Sequence, residues 1–186
     1  QNEKFLIYQM RKIVICLTSL FFVYQSSLYA YSSNPKEFVF ELVNEAISIL
    51  SDKSLTKEYK VEFVAKIAKE NVDIDALGLY TLGELRKSAT KQEISEYQTT
   101  FEKYFLKSLT SRLTEYSSSR FEIISADQKS SNYTIISSKV VPNNGGPEIK
   151  IDWRIYTKNP EKPLIRDLIV EGLSLARMQK EEFASI

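Results

Sequence analysis

Apolar residues recur every three to four positions up to about residue 116 and every second position from about residue 121. The first spacing is typical of amphipathic helices, and the second is typical of strands with one buried face. The change of period falls at Ser117-Ser118-Ser119. We therefore expect a block of helices followed by a block of strands.

Helical spacing predicts three helices near the start, at residues 35–50, from about residue 57, and at residues 76–85, the last interrupted by Gly78 and Gly83. Asn34 is a favourable N-cap for the first, and Pro35 suits the first helical position. A capping box at Thr90 and Glu93 opens a fourth and longest helix. Its apolar stripe is unusually aromatic and comprises Ile94, Tyr97, Phe101, Tyr104, Phe105, Leu109, Leu113 and Tyr116. Such a stripe either fills a core or lines a ligand cavity.

Alternation predicts four strands, at residues 121–126, 133–141, 148–157 and 164–170. In the third, Ile151, Trp153 and Ile155 share one face, and charged residues share the other. One buried and one wet face is typical of an antiparallel sheet that is covered on one side. Helices, then an antiparallel sheet of about four strands, then a closing helix predict one α+β domain over residues 31–186, with the helices packed on one sheet face.

Residues 1–30 have the layout of a secretory signal peptide. Met10-Arg11-Lys12 is a basic start, residues 13–24 are mostly apolar, and small or polar residues lead to a cleavage site after Ala30. The apolar run is shorter than the roughly 20 residues that a membrane span needs. Residues 1–9 precede the methionine and could be an upstream extension. This layout predicts export, and we expect a periplasmic protein.

Composition excludes several kinds of chemistry. Cys16 is the only cysteine and lies inside the signal peptide, so the mature chain has no disulfide or thiolate site. The chain has no histidine, the commonest general base and metal ligand. Residues 31–186 hold 22 basic and 23 acidic residues, a net charge of −1. Without a cationic surplus, nucleic-acid binding is not expected.

Carboxylates are the remaining candidates for catalysis. Asp152 alternates with lysine and arginine, as expected on a solvated face, and Asp167 could pair with Arg166 or Arg154. An NTF2-like isomerase or dehydratase could use Asp167 or Glu171 as a base of raised pKa, with a buried tyrosine such as Tyr104 as the acid.

The remaining acidic clusters do not predict a metal site. Asp73/Asp75 and Glu181/Glu182 lack the spacing of a calcium-binding loop and are typical of helix starts and solvated helices. We expect no metal and no cofactor.

The stretch at residues 167–183, DLIVEGLSLARMQKEEF, predicts a strand–turn–helix corner. Alternation puts Leu168 and Val170 on one face of the strand and Asp167, Ile169 and Glu171 on the other. Gly172 permits a turn, and Ser174 is placed to cap the last helix. We expect Leu175, Met178 and Phe183 to pack back on the sheet, and the two acids to position backbone or a partner.

Three stretches in order resemble the MlaC, or toluene-tolerance, family of periplasmic phospholipid carriers. Residues 73–83 (DIDALGLYTLG) are similar to the family's aspartate, small helix and Leu-Gly element, and residues 88–92 (SATKQ) to the start of its aromatic helix. The stretch from Asp167 to Ser174 resembles the family's D-x-x-x-E-G-x-S motif. The chain departs from the family at Leu85, where many members have an aromatic residue, and by ending at Ile186.

This resemblance implies an NTF2-like fold and a monomeric shuttle without enzymatic activity. It would carry a phospholipid between an outer-membrane lipoprotein–porin complex and an inner-membrane ABC transporter with an MCE-type subunit, and so maintain outer-membrane lipid asymmetry. A hopanoid or another lipid is the alternative cargo. No catalyst is needed, because hiding an acyl chain of about 16 carbons at ~0.8 kcal/mol per CH₂ is worth on the order of 12 kcal/mol.

A carrier of this kind needs an internal apolar pocket between sheet and helices. Each candidate wall residue either contacts lipid or fills the core, and we expect about half to contact lipid. The candidates are Leu77, Leu82, Phe101, Phe105, Leu109, Val140, Ile151, Trp153, Ile155, Ile169 and Leu173.

Overall fold

The first helix begins at the cap that the sequence predicts. In the computed structural model, which describes residues 30–113 and 119–185, α1 spans Pro35–Ser51. The Asn34 side chain accepts hydrogen bonds from the backbone amides of Lys36 and Glu37 at 3.0 and 3.2 Å. These bonds satisfy amides that have no partner within the helix.

Side-chain caps also start the next two helices. The Thr56 hydroxyl precedes α2 (Lys57–Asn71), and the Asp73 carboxylate precedes α3 (Ile74–Leu82). A 3₁₀-helix continues from Gly83 to Lys87. The sequence predicts one helix over residues 76–85, but Gly83 has a φ of +59°, which ends the α-helix before it.

The long helix α4 spans Lys91–Leu113 and starts with the predicted capping box. The Thr90 amide and hydroxyl donate to the Glu93 carboxylate at 2.7 and 2.8 Å, and the Glu93 amide donates back to the Thr90 hydroxyl. The backbone bond and then the side-chain bond from Thr90 lower the pKa of Glu93. The part of the predicted stripe beyond Leu113 lies outside the described residues.

The second half of the chain forms one antiparallel sheet. Its strands are β1 (Ser119–Ser130), β2 (Tyr133–Pro142), β3 (Ile149–Tyr156), β4 (Leu164–Val170) and β5 (Leu173–Ser174), and they lie side by side in chain order. Helix α5 (Leu175–Ala184) closes the chain. The α+β prediction is confirmed, and the sheet gains β5 as a short fifth strand.

The core lies between α1 and one face of this sheet. Phe38, Val39 and Leu42 on α1 are buried against it. On the strands, Ile136 is paired with Trp153 and both are buried. The Trp153 indole donates a 2.9 Å hydrogen bond to the Ser138 hydroxyl, which donates to the Ile151 carbonyl. The polar atoms of Trp153 and Ser138 are thus satisfied, as burial requires.

A bulge in β4 breaks the expected alternation. Ile155 pairs with Ile165 and Arg154 with Asp167, so Arg166 is an extra residue on its strand. Because of the bulge, both Ile165 and Leu168 face the core, although they are three positions apart. The alternation predicted that Leu168 and Val170 share a face but not which face is inward, and the structure shows that Leu168 packs against the core.

Residues 31–186 form one compact unit. The predicted signal peptide over residues 1–30 lies, apart from Ala30, outside the described residues and stays a prediction. Within the described part of the chain, the helices are too short or too polar to cross a membrane.

Two isoleucines of the sheet, one buried and one exposed, allow a matched test of this core. Ile136 is fully buried, whereas Ile124 in β1 is 59% exposed. We expect Ile136→Ala to lower the free energy of unfolding by about 2–5 kcal/mol, because it leaves a cavity. Ile124→Ala should change it by less than about 0.5 kcal/mol. Urea denaturation measures both, and equal losses would contradict the assigned core.

Candidate functional site

The sheet offers a partly exposed apolar surface next to the filled core. Trp153 and Ile155 are buried, whereas Ile151 and Val140, on the same sheet face, are only half-buried. Ile151 and Val140 pack against the edge of the core. The apolar face of the sheet therefore extends beyond the area that α1 covers.

A second apolar surface lies on the helices. Phe101 of α4 is buried and stacks on Tyr97 and Phe105, each with ring centroids 6.1 Å apart. Phe183 of α5 meets Phe101 edge-on. In the described part of the chain, α4 makes its main contacts with α2 and α3. The aromatic stripe of α4 thus serves a helical cluster, separate from the core between α1 and the sheet.

Most predicted wall residues are neither buried nor fully exposed. Of the eleven, Phe101, Trp153 and Ile155 are buried, and Leu173 is 60% exposed. The half-buried ones are Leu77, Leu82, Phe105, Leu109, Val140, Ile151 and Ile169. Partly exposed apolar side chains therefore lie on both the sheet and the helices, and an apolar ligand could cover the surfaces that they form.

Ile169 lies apart from the other sheet candidates. It is paired with Asp152, so it lies on the sheet face opposite to Trp153. There it lines a groove of about 280 Å³ with Ile124, Ser137, Ser138, Lys150, Asp152, Glu171 and Gly172. This lining is mostly polar, unlike that of the predicted internal pocket. The apolar pocket, and lipid contact by each candidate, stay predictions.

Asp167 holds the start of the last helix. It is 6% exposed, and its carboxylate accepts a 2.6 Å hydrogen bond from the Ser174 hydroxyl and a 3.0 Å bond from the Ala176 amide. Ser174 in turn caps α5 by accepting from the Arg177 amide. The cap is as expected, but Asp167 is bonded to the helix start and not to either arginine suggested from the sequence.

Glu171 closes the turn between β4 and β5. Glu171 and Gly172 both have positive φ, +49° and +82°, as in the tightest hairpin turns. The Glu171 carboxylate accepts a 2.5 Å bond from the Lys150 amide, and its own amide donates to the Lys150 carbonyl. Glu171 therefore extends the pairing with β3, which offsets the unusual backbone of a non-glycine residue at this position.

The tyrosine suggested as the acid of an isomerase or dehydratase also has a structural partner. Tyr104, suggested as a buried acid, is 42% exposed, and its hydroxyl donates to Gln179. Phe183 contacts the rings of Phe101 and Tyr104 on α4. Leu175 and Met178 are exposed. The last helix therefore packs mainly on α3 and β4, and Phe183 adds a contact with the aromatic rings of α4.

Arg166, which the sequence suggested only as a partner of Asp167, connects the sheet to α3. Its guanidinium bonds Asp73 through Nε and Nη2 at 2.8 Å each, donates to the Tyr133 hydroxyl at 2.6 Å, and lies 3.5 Å from the Tyr156 ring centroid. Partial burial acts to lower its pKa, but the bonds to Tyr133 and Asp73 outweigh this and raise it. The bulge gives this arginine its direction, and regular alternation would not reveal it.

Asp73 has two structural partners. In addition to Arg166, its carboxylate accepts a 3.2 Å hydrogen bond from the Ala76 amide at the start of α3.

Within residues 30–113 and 119–185, no group of three or more acidic, histidine or cysteine side chains could hold a metal ion.

A family model described as "MlaC protein" matches residues 41–186. The chain belongs to the MlaC family. Among solved structures, it resembles the phospholipid-binding protein from Ralstonia solanacearum in complex with a phospholipid. The TM-score is 0.66 at 18% identity, and the match covers 81% of this chain and 86% of the other. At this identity the likeness shows the fold. No curated protein matches the chain.

The stretches that resemble MlaC motifs have structural tasks in this member. In the first, Asp73 caps α3, and Gly78 lets α3 approach α4, since a Cβ there would lie 3.1 Å from Phe101. In the last, Asp167, Glu171 and Ser174 build the β4–β5–α5 corner. These MlaC residues therefore position helices around the sheet.

Asp167→Ala tests the role of the buried acid at this corner. We expect a loss of about 1–3 kcal/mol in the free energy of unfolding, because the Ser174 hydroxyl and the Ala176 amide lose their acceptor. Amide hydrogen exchange should become faster in α5 and change less in β2. Asp127→Ala, at an exposed acid of β1, is the control. Unchanged exchange in α5 would show that Asp167 does not hold it.

Proposed function

We propose that this MlaC-family protein binds phospholipid and carries it through the periplasm between membrane complexes. The observation that carries the proposal is the family match over residues 41–186, which includes nearly all of the sheet and helices. The fold shared with a phospholipid-binding protein in complex with its ligand supports it. Membership of this family favours a binding or transport protein over an enzyme.

The apolar surfaces of the fold suit such a ligand. Half-buried Phe105 and Leu109 on α4, and Val140 and Ile151 on the sheet, offer acyl chains the contacts that water cannot. Burial of the chains would provide the affinity, on the order of 0.8 kcal/mol per CH₂. Release then requires a partner that offers the chains an equally apolar site.

The proposed route follows from the family. The carrier would exchange lipid with an outer-membrane lipoprotein–porin complex and with an inner-membrane ABC transporter that has an MCE-type subunit. Its task would be to maintain the lipid asymmetry of the outer membrane. A hopanoid in place of a phospholipid is the alternative cargo, and the identity of the bound lipid decides between them.

Lipid that copurifies with the protein is the direct test. Native mass spectrometry of protein purified from cells should show bound phospholipid. Phe105→Arg should reduce occupancy at least about tenfold, because a buried unpaired charge costs far more than the ~1.4 kcal/mol that this factor represents. Leu85→Arg, at a side chain that is 67% exposed, is the control for added charge.

One result would contradict lipid binding, and another would contradict the assignment of α4 to the binding surface. One is wild-type protein that, after delipidation, takes up no lipid from vesicles. The other is equal occupancy in Phe105→Arg and Leu85→Arg with both variants folded by circular dichroism, which would remove α4 from the binding surface.

Export can be tested at the N-terminus. Tyr31 packs edge-on against Phe38, and its hydroxyl bonds Glu45. Burial first, and then this bond, raise the pKa of the phenol. Tyr31, the residue directly after the expected cleavage site, is therefore part of the folded domain. We expect a periplasmic extract to contain protein whose intact mass begins at Tyr31, and a cytoplasmic chain that keeps residues 10–30 would contradict periplasmic export.

A further inference from the structure

Helix α3 links the two apolar surfaces described above. The Asp73 amide donates to the Ile165 carbonyl at 2.9 Å, and Val72 bridges to the same strand, so the start of α3 is attached to β4. Further along α3, Gly78 lies against Phe101, and the Thr81 and Tyr97 hydroxyls share a 2.8 Å hydrogen bond. The position of α3 on the sheet therefore also determines the position of α4.

An ion pair adds a side-chain attachment to these backbone contacts. The two Arg166–Asp73 contacts of 2.8 Å lie at side chains that are 27% and 17% exposed. Tyr133 and Tyr156 hold the other sides of the guanidinium, and their rings are 5.3 Å apart. A planar group held on three sides has little freedom, so its carboxylate partner is held in one place.

We propose that Asp73 and Arg166 form a positioning pair that sets the separation between the α3–α4 helices and the sheet, and thereby selects the length of the acyl chains that the protein accepts. This inference rests on the proposed lipid-binding function. Neither residue is assigned to contact lipid. The pair acts through the placement of Leu77, Leu82 and the aromatic residues of α4.

Asp73→Asn separates positioning from folding. Asparagine caps helices as well as aspartate does, so α3 keeps its start while the ion pair loses its charge. We expect the ratio of long-chain to short-chain phospholipid bound from an equimolar vesicle mixture of 12-, 14-, 16- and 18-carbon species to change about 2- to 30-fold, the range for residues that couple structural elements. Native mass spectrometry of the delipidated and reloaded protein measures this ratio.

Arg166→Lys is the second variant, because it keeps the charge but loses the planar stacking on Tyr156. It should change the ratio in the same direction and remains informative if Asp73→Asn does not fold. Glu102→Gln is the matched control. It breaks a 2.8 Å ion pair with Lys69 that joins α2 to α4 and leaves α3 attached to the sheet.

A role in stability alone would lower the melting temperature and reduce all lipid species equally, leaving the ratio unchanged. An unchanged ratio in the folded variants, or an equal change in Glu102→Gln, overturns the inference while the wild type still binds lipid. Wild-type protein that takes up no lipid overturns the proposed function itself, and the positioning role falls with it. The two failures are therefore distinguishable.

Discussion

The arrangement of helices around the sheet depends on one extra residue in β4. The bulge at Arg166 lets Ile165 and Leu168 both enter the core and directs two polar side chains to the helices. Arg166 bonds Asp73 at the start of α3, and Asp167 bonds the start of α5. A regular strand could not provide both the apolar contacts and the two polar attachments, because its side chains alternate strictly between the faces.

Polar and apolar residues have separate tasks in this fold. The acids that resemble family motifs, Asp73, Asp167 and Glu171, all bond to backbone amides and thereby fix helix starts and a hairpin turn. The apolar residues fill one core under α1 and leave half-buried surfaces on α4 and the sheet. A carrier suits this division, since the free energy of holding an acyl chain comes from apolar burial and needs no reactive group.

The sequence predicted those features that depend on local physics. Asn34, Thr90 and Ser174 were identified as caps because a side-chain oxygen needs only the next helical turn. The order of helices and strands followed from period alone, and the α+β class followed from that order. Strand β5 was missed because two residues are too few to show alternation, and the end of α3 because glycine conformation depends on its surroundings.

The candidate site was predicted less completely, because it depends on contacts between distant residues. Sequence alone identified Phe101 and Trp153 as large apolar groups, but not that they belong to two separate clusters. The sequence by itself determined most of the secondary structure, the absence of histidine and of any cysteine pair, and the family. Only the tertiary structure decided what Asp73 bonds to, since it meets Arg166, 93 positions away, through a bulge that leaves no local pattern. It also decided that Asp167 bonds the start of the last helix, because that depends on the turn between β4 and β5.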